Sequence, residues 1–517
     1  MTELLTAAQM RAIEQAAIKS GEVTGLELME RAGRGVVEAI FEEWPELAKT
    51  SGRAVVLCGP GNNGGDGFVV ARLLKEWGWE VEVILYGDPE KLPPDARTNY
   101  ERWKEQSEVA VRQINPPPLV DDYLKFPPEF DLVIDGLFGT GLTRPFQGVF
   151  TLLASEDARH LMRRHGARVV AIDVPSGLCA DSGRVLGSVI EADLTVTFHD
   201  MKVGHMINDG PVNCGLVRTK PIGLQRQMSN KVVQLVSNMS VPWTKTTRDH
   251  KYSHGHALIL SGGSGKTGAA RLAARGALRI GAGLVTLGVL PAALLEVAAH
   301  VTSIMLRRIE DGGVLSEILE DDRLNALCLG PGLGLHRARE LVPVALEAGR
   351  ATVLDADALT AFADDPADLF GQLHENCVLT PHGGEFARLF PDIAEQLAAV
   401  PTTGPACSKV DATREAAKRA GCVVLFKGAD TVIAAPDGRC AINAAHYDRS
   451  APWLATAGSG DVLAGFITGL LARGFAPMQA AETAAWLHVE CARQFGPGLI
   501  AEDLPEQLPK VFRNLVT

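Results

Sequence analysis

From Arg53 to about Leu216 the chain alternates short β-rich runs with helical stretches: AVVLC, FVVARLLKEWG, VEVILY, DLVID, VVAID and LTVTF. That alternation predicts a parallel sheet covered by helices, since parallel pairing needs crossovers long enough to hold a helix. The rhythm breaks over residues 221–250, a polar stretch without clear periodicity. It resumes with HALIL, LVTLGVL, ALCLGPG, TVLDADAL, CVLTPHGGE, VVLFKG and DTVIAA, and then a Gly/Ala-rich helical region from Asp461. The chain has 517 residues, and a single core stops growing at about 250–300. Two α/β domains are expected, residues 1–224 and 250–517 with 225–249 as the linker, and the halves do not read as copies of each other.

A formal net charge of -12, spread along the chain instead of gathered in blocks, argues against nucleic-acid or anionic-membrane partners. Nine scattered cysteines without a C-x-x-C pair suggest neither a disulfide framework nor a zinc site, so a cytoplasmic protein is expected. The amphipathic N-terminus lacks the apolar core of a secretion signal, and no run approaches the roughly 18 apolar residues of a membrane span. An edge-mediated homo-oligomer is also expected.

In parallel sheets ligands collect at the carboxyl ends of the strands. After the run Ala54 to Cys58 comes Gly59-Pro60-Gly61-Asn62-Asn63-Gly64-Gly65-Asp66-Gly67 and then a helix, which points backbone amides toward one spot suited to an anion. Gly59, Gly61 and Gly64 satisfy G-x-G-x-x-G, with Asp88 after the next strand in the place of a ribose-binding acid. A bare pyrophosphate turn does not need Asn62, Asn63 and Asp66, and these polar groups suggest a cation instead. Two further strands end in acids, Asp135 before GLFGTGLTRP and Asp173 before VPSGL.

Together, GPGNNGGDGF, DGLFGTG, IDVPSGL and ADLTVTFHDMKVGH closely resemble the epimerase domain of the NAD(P)H-hydrate repair family over most of residues 1–224. The resemblance implies a Rossmann-like three-layer domain in which Asn63, Asp135 and Ser176 ligate potassium. It places the hydrated cofactor on Asn62, Asn63, Gly64, Gly65 and Asp66, on Gly139, Thr140, Gly141, Leu142, Thr143, Arg144 and Pro145, and on Asp173. Inverting the hydroxyl-bearing ring carbon needs proton management, for which Asp173 is the first candidate and Lys202 the second.

In the second half, SGGSGKTGAA follows HALIL, but a Walker A loop would need glycine where Leu260 stands. Gly458-Ser459-Gly460-Asp461 introduces a helix whose free amides suit a phosphate, and Asp461 beside them is the catalytic candidate. This G-S-G-D turn resembles the anion-hole motif of ribokinase-like enzymes. With GAGLVT, LGPGLG, LDADAL and LTPHGGE, residues 250–505 resemble the ADP-dependent NAD(P)H-hydrate dehydratase. The resemblance assigns the nucleotide to Lys427, Gly428, Ala429, Asp430, Thr431 and Gly460, and the hydrate to Ala269, Gly332, His382 and Asp461. Magnesium is expected with the nucleotide; Glu385 is a possible ligand, although a glutamate at a helix start needs no such role. KGADT and NAAHYDRSAPWLATAGSGD depart from the family's usual pattern, where a second charged residue and a shorter glycine-bearing approach are common.

The implied function is repair of NADHX and NADPHX: the R and S epimers are interconverted and the S form is dehydrated with ADP. A small-molecule kinase would account for the second half alone, and a non-catalytic NAD-binding regulator for the first.

Overall fold

The computed structural model describes residues 2–108, 110–112, 130–147, 149–164, 166–225, 232–237, 245 and 248–516. Much of the expected linker lies outside the described residues. The chain forms two compact units. One comprises Glu3–Val232 with Val400–Ser408; the other comprises Val233–Ala399 and Lys409–Thr517, with the first two residues.

The chain opens with a short strand, β1 (Thr2–Leu4), and a helix, Ala7–Lys19, which Thr6 and Gln9 start with a reciprocal capping box. The sheet of the N-terminal unit is built from β2 (Arg53–Cys58), β3 (Glu80–Tyr86), β4 (Ala110–Arg112), β5 (Leu132–Gly136), β6 (Arg168–Ile172), β7 (Leu194–Phe198) and β8 (Leu216–Lys220), in the order β4-β3-β2-β5-β6-β7-β8. All of its pairings are parallel. The central strands are apolar because both faces are covered; Val55, Val56, Val133, Ile134, Val170 and Ile172 are almost wholly shielded. Successive strands step outward from β2 on one side and from β5 on the other. The chains leaving β2 and β5 therefore diverge, and a crevice opens at their carboxyl ends.

The second unit carries β9 (Val233–Leu235), β10 (His256–Leu260), β11 (Leu284–Val289), β12 (Met305–Arg308), β13 (Leu324–Leu329), β14 (Ala351–Leu354), β15 (Cys377–Leu379), β16 (Val423–Phe426), β17 (Asp430–Ala434) and β18 (Cys440–Ala444). They stand in the order β9-β18-β17-β16-β15-β14-β13-β10-β11-β12, with β17 antiparallel to both its neighbours, β16 and β18. The switch of direction again falls between two adjacent strands, β13 and β10. β9 arises inside the stretch read as a linker: it pairs with β18, an edge that the sequence pattern alone does not show.

The helices Gly268–Arg279 and Ser459–Ala472 cross with almost no space between them. A Cβ on Gly465 would stand 2.1 Å from the Ala273 carbonyl oxygen, and one on Gly469 would stand 2.6 Å from that of Ala277. Small residues at this crossing let the backbones touch, and the contact fixes the start of Ser459–Ala472 over the sheet. Gly465→Val is expected to cost about 3 kcal/mol through overpacking. Calorimetry of the whole chain should then show the transition of the second unit moving down in temperature while that of the first stays in place.

Candidate functional site

Each unit presents one site at its switch point. In the first, the helix Asn62–Glu76 begins at Asn62 and not beyond Gly67, so the Asn-Asn-Gly-Gly-Asp run forms its opening turns. The glycines serve close approach: a Cβ on Gly59 would lie 1.8 Å from the Leu137 oxygen, and one on Gly64 would lie 2.1 Å from the Gly59 oxygen. Asp88, the ribose-acid candidate of the dinucleotide reading, instead caps a short turn by accepting from Glu90 N at 3.0 Å.

Asp135 at the end of β5 is fully buried. Its Oδ2 accepts from Ser176 N at 2.8 Å, and its Oδ1 accepts from Ser176 Oγ at 2.6 Å and Leu137 N at 3.2 Å. Burial pushes this carboxyl up to about 6, with the Ser176 and Leu137 bonds opposing. Phe138 O lies 3.1 Å from Ser176 Oγ. Asn63 faces the same loop: its Oδ1 would be 2.8 Å from a Cβ on Gly139, and its buried Nδ2 has no partner. Asn63, Asp135 and Ser176 thus surround the turn 136–139 with oxygen atoms and one unsatisfied amide.

Asp173 follows β6 with φ at 66°, a left-handed conformation uncommon for a residue other than glycine. Its Oδ1 accepts from Lys202 Nζ at 2.8 Å and from Thr197 Oγ1 at 2.9 Å. Lys202 is completely enclosed and also donates to Thr197 Oγ1, Phe198 O and Asp200 O. His205 Nδ1 accepts the Lys202 backbone N–H at 3.0 Å, so its proton sits on Nε2, which donates to Asp173 O at 3.0 Å. Burial, aided by the Lys202 charge, brings His205 down to about 4, and the ring is neutral. Burial pushes the Asp173 carboxyl up, but the Lys202 ammonium and the bonds from Lys202 and Thr197 outweigh it, holding the group below its ordinary value.

Asp66 goes the other way. Burial, with the charges of Asp173 and Glu14, drives its carboxyl well above the usual range. Glu14, on the helix Ala7–Lys19, is also raised, by burial and by Asp173. The carboxyls of this site are thus pushed in opposite directions, Asp173 down by its lysine and Asp66 up by burial and like charge, the kind of separation that marks acid and base assignments. The loop 139–145, predicted to hold the hydrate, is tied at Thr140, whose carbonyl accepts from Arg11 Nη1 at 3.3 Å, while Gly141, Thr143 and Arg144 are exposed. Glu14 escaped sequence reading because it stands 52 residues from Asp66, on a helix with no motif of its own.

In the second unit a cavity of about 490 Å³ lies between the chains leaving β10 and β13, lined by Gly265, Lys266, Gly268, Ala269, Gly332, Gly334, Leu335 and Asp357. Two predicted hydrate residues, Ala269 and Gly332, meet there. Asp461 stands in the first turn of Ser459–Ala472, which Gly458 enters with φ at 88°. Burial and the nearby Asp355 push its carboxyl up to about 6, against the pull of Lys427. Lys427 Nζ bonds Asp355 Oδ1 at 2.6 Å, lies 3.8 Å from Glu385 Oε2 and would be 3.6 Å from a Cβ on Gly460. Lys427 and Gly460 are thus brought together beside Asp461.

The other predicted residues are held more locally. Asp430 is engaged by buried Lys409 at 2.6 Å, Thr431 Oγ1 donates to Gly428 O at 2.7 Å, and Ala429 O accepts from Ala445 N. His382 takes the role of a helix cap: its Nδ1 accepts from Gly384 N at 2.9 Å while Glu385 Oε2 accepts the His382 N–H at 2.8 Å. A second cleft of about 430 Å³, lined by Pro452, Trp453, Ala455, Thr456, Gly498, Leu499 and Ile500, adjoins the Gly458 turn. Lys409 and Asp355 went unassigned in the sequence, since only folding brings them against the KGADT turn.

These two sites define an α/β protein with one half of the YjeF-related type and one of the hydrate-dehydratase type. The family described as YjeF-related protein N-terminus matches residues 25–204, and that described as NAD(P)H-hydrate dehydratase matches residues 257–511. The chain belongs to the family of bifunctional NAD(P)H-hydrate repair enzymes. It is 37% identical over 539 residues to the bifunctional NAD(P)H-hydrate repair enzyme Nnr of Moorella thermoacetica, covering 99% of this chain and 97% of that one. The NAD(P)H-hydrate epimerase of Roseobacter litoralis is 48% identical over 234 residues, which is 43% of this chain and 100% of the relative. A crystal structure of the ADP/ATP-dependent NAD(P)H-hydrate dehydratase of Bacillus subtilis, co-crystallised with ATP/Mg²⁺, is 27% identical, covers 55% of this chain and 99% of that one, and has a TM-score of 0.44.

Lys202→Met would leave Asp173 buried without its partner, at an expected cost of about 3–5 kcal/mol in urea unfolding of the N-terminal unit. Asp173→Asn in the same chain should restore part of that stability. An equal loss with and without the second substitution would refute the pairing.

Proposed function

We propose that the chain returns NADHX and NADPHX to NADH and NADPH through two separate sites, with Asp173 and Asp66 serving the epimerase and Asp461 the nucleotide-dependent dehydratase. Residues 1–224 and 250–517 are the two catalytic domains on this reading. The observation that carries it is the Lys202 ammonium bonded to Asp173 after β6 in the first site, together with Asp461 in the first turn of Ser459–Ala472, which Gly458 opens, in the second.

In the epimerase, Asp66, held protonated, gives its proton to the departing ring hydroxyl, and the ring nitrogen supplies the electrons as water leaves. Water returns to the other face, and Asp173, kept ionised by Lys202, accepts its proton. The two acids exchange roles for the reverse direction. Asn62 to Asp66 and Gly139 to Pro145 hold the hydrate. Potassium fits beside them: a hard cation suits oxygen donors, which Asp135, Ser176, the Phe138 carbonyl and the Asn63 side-chain oxygen beside Gly139 offer. Bound there, it would neutralise the buried Asp135 and stiffen the hydrate loop.

In the dehydratase, Asp461 accepts the proton from carbon 5 as hydroxide leaves carbon 6, with Ala269, Gly332 and His382 positioning the hydrate. The nucleotide's phosphates meet the amides of the Gly458–Gly460 turn and the ammonium of Lys427, while its base lies in the cleft at Trp453. Lys427 to Thr431 shape that side. Magnesium enters with the phosphates, since Glu385 is already engaged by His382 N and no cluster of three metal-binding side chains occurs among the described residues. All nine cysteines are free thiols, which suits the cytoplasm.

Near-ultraviolet absorbance of the reduced nicotinamide tests both halves, using mixed hydrate epimers with ADP, ATP or neither. Wild type should recover all of the cofactor only with nucleotide. Asp173→Ala should stop near the directly usable epimer fraction, and replacing potassium by tetramethylammonium should slow the approach to full recovery. Asp461→Ala should recover none, and a wild type inactive with every nucleotide would overturn the assignment.

The pH profile offers a separate check. A base is useful only when deprotonated, and the Asp461 carboxyl is raised to about 6. Dehydratase kcat/KM is therefore expected to hold above that pH and to fall about tenfold per unit below it.

A further inference from the structure

The SGGSGKTG stretch follows β10 and has no role in the readings above once the Walker A match fails. It is nevertheless closely organised by hydrogen bonds. Glu296, on the short helix Leu294–Ala298, takes three bonds from it: Ser264 Oγ at 2.8 Å and Gly265 N at 2.8 Å on Oε2, and Thr267 Oγ1 at 2.5 Å on Oε1. The loop adds its own closure, Lys266 N to Gly263 O at 2.9 Å, and Gly265 takes a left-handed φ of 76° that a side chain would resist.

What this geometry presents is Lys266. Its carbonyl faces the backbone at Gly332, 3.0 Å from where a Cβ on that glycine would lie, while the residue lines the 490 Å³ cavity beside Ala269. Among the described residues Lys266 enters no ion pair. The other charged residue on the cavity wall, Asp357, is occupied at Oδ2 by Gly334 N at 2.8 Å. An exposed ammonium beside four glycines (Gly265, Gly268, Gly332 and Gly334) leaves room for a bulky anion to approach the backbone closely.

We propose that Lys266 recognises the diphosphate of the dinucleotide hydrate and that Glu296 is a positioning residue which locks the loop so that Lys266 faces the cavity. The inference rests on the dehydratase reading. It adds an anion-binding residue to the hydrate subsite and a cause for the loop's order. Three bonds converging on one carboxylate also hold the Glu296 carboxyl down at about 2, so the clamp stays closed across the working pH range.

The test is steady-state kinetics of the full chain with NADH hydrate and ADP varied in turn. Lys266→Met should raise KM for the hydrate about tenfold, the worth of one charge-assisted hydrogen bond, with kcat and the KM for ADP within about twofold; Lys266→Arg should restore most of the affinity. Glu296→Ala should raise the same KM, and the double variant should be no worse than Lys266→Met alone, because Glu296 acts through the lysine. Thermal melting checks that each variant is folded. An unchanged hydrate KM in Lys266→Met, a shift in the ADP KM instead, or additive effects in the double variant would overturn the proposal while leaving wild-type turnover intact. Absence of turnover in the wild type would instead overturn the dehydratase reading beneath it.

Discussion

Where adjacent parallel strands send their following chains to opposite sides of a sheet, no side chain fills the gap between them, and the rest of each site depends on that opening. It falls between β2 and β5 in the first unit and between β13 and β10 in the second. The glycine-bearing turns after β2, β5, β10 and β13 border these crevices. Glycine is needed there for proximity more than for conformational freedom: Gly59, Gly64 and Gly262 each face a carbonyl oxygen about 2 Å from where a Cβ would lie.

The two units use the opening differently. In the first, a lysine and a histidine with no solvent contact support one carboxylate, while a second carboxyl is left to burial and like charge. The two carboxyls shift in opposite directions because, of the pair, Asp173 has a cation within bonding distance. In the second, Lys427 is shared between Asp355 and Glu385 and moderates Asp461 from a distance, so that aspartate titrates near neutrality instead of being fixed as an ion.

Much of this was legible in the sequence because it is local. Strand runs ending in Asp135, Asp173 and Gly330, and the glycine turns after them, announce both crevices without any tertiary knowledge. The glycine-rich run after β2 was legible as a site but misread in its geometry, since NNGGDG forms helix where glycine would normally discourage it; packing of Gly65 and Gly67 against Met29, Ala96 and Cys58 overrides the propensity. His382 was legible as a motif residue, while the use of its Nδ1 as a helix cap was not. What remained hidden was non-local: Glu14, Lys409 and Glu296 lie on elements without sequence signatures. β9 pairs with β18, about 200 residues away in the chain, and no period or spacing encodes such pairings.

The enclosure of Lys202 also decides how the two sites respond to their surroundings. Counterions screen charges only where they can reach them, over about 8 Å in physiological salt. The Lys202 ammonium has no exposed surface, so the field it exerts on Asp173 is set by the fold. The loop held by Glu296 is exposed, and its Lys266 ammonium meets dissolved ions directly. Added salt that does not compete for a cation site would then leave the Lys202–Asp173 attraction unchanged while screening the exposed Lys266 ammonium.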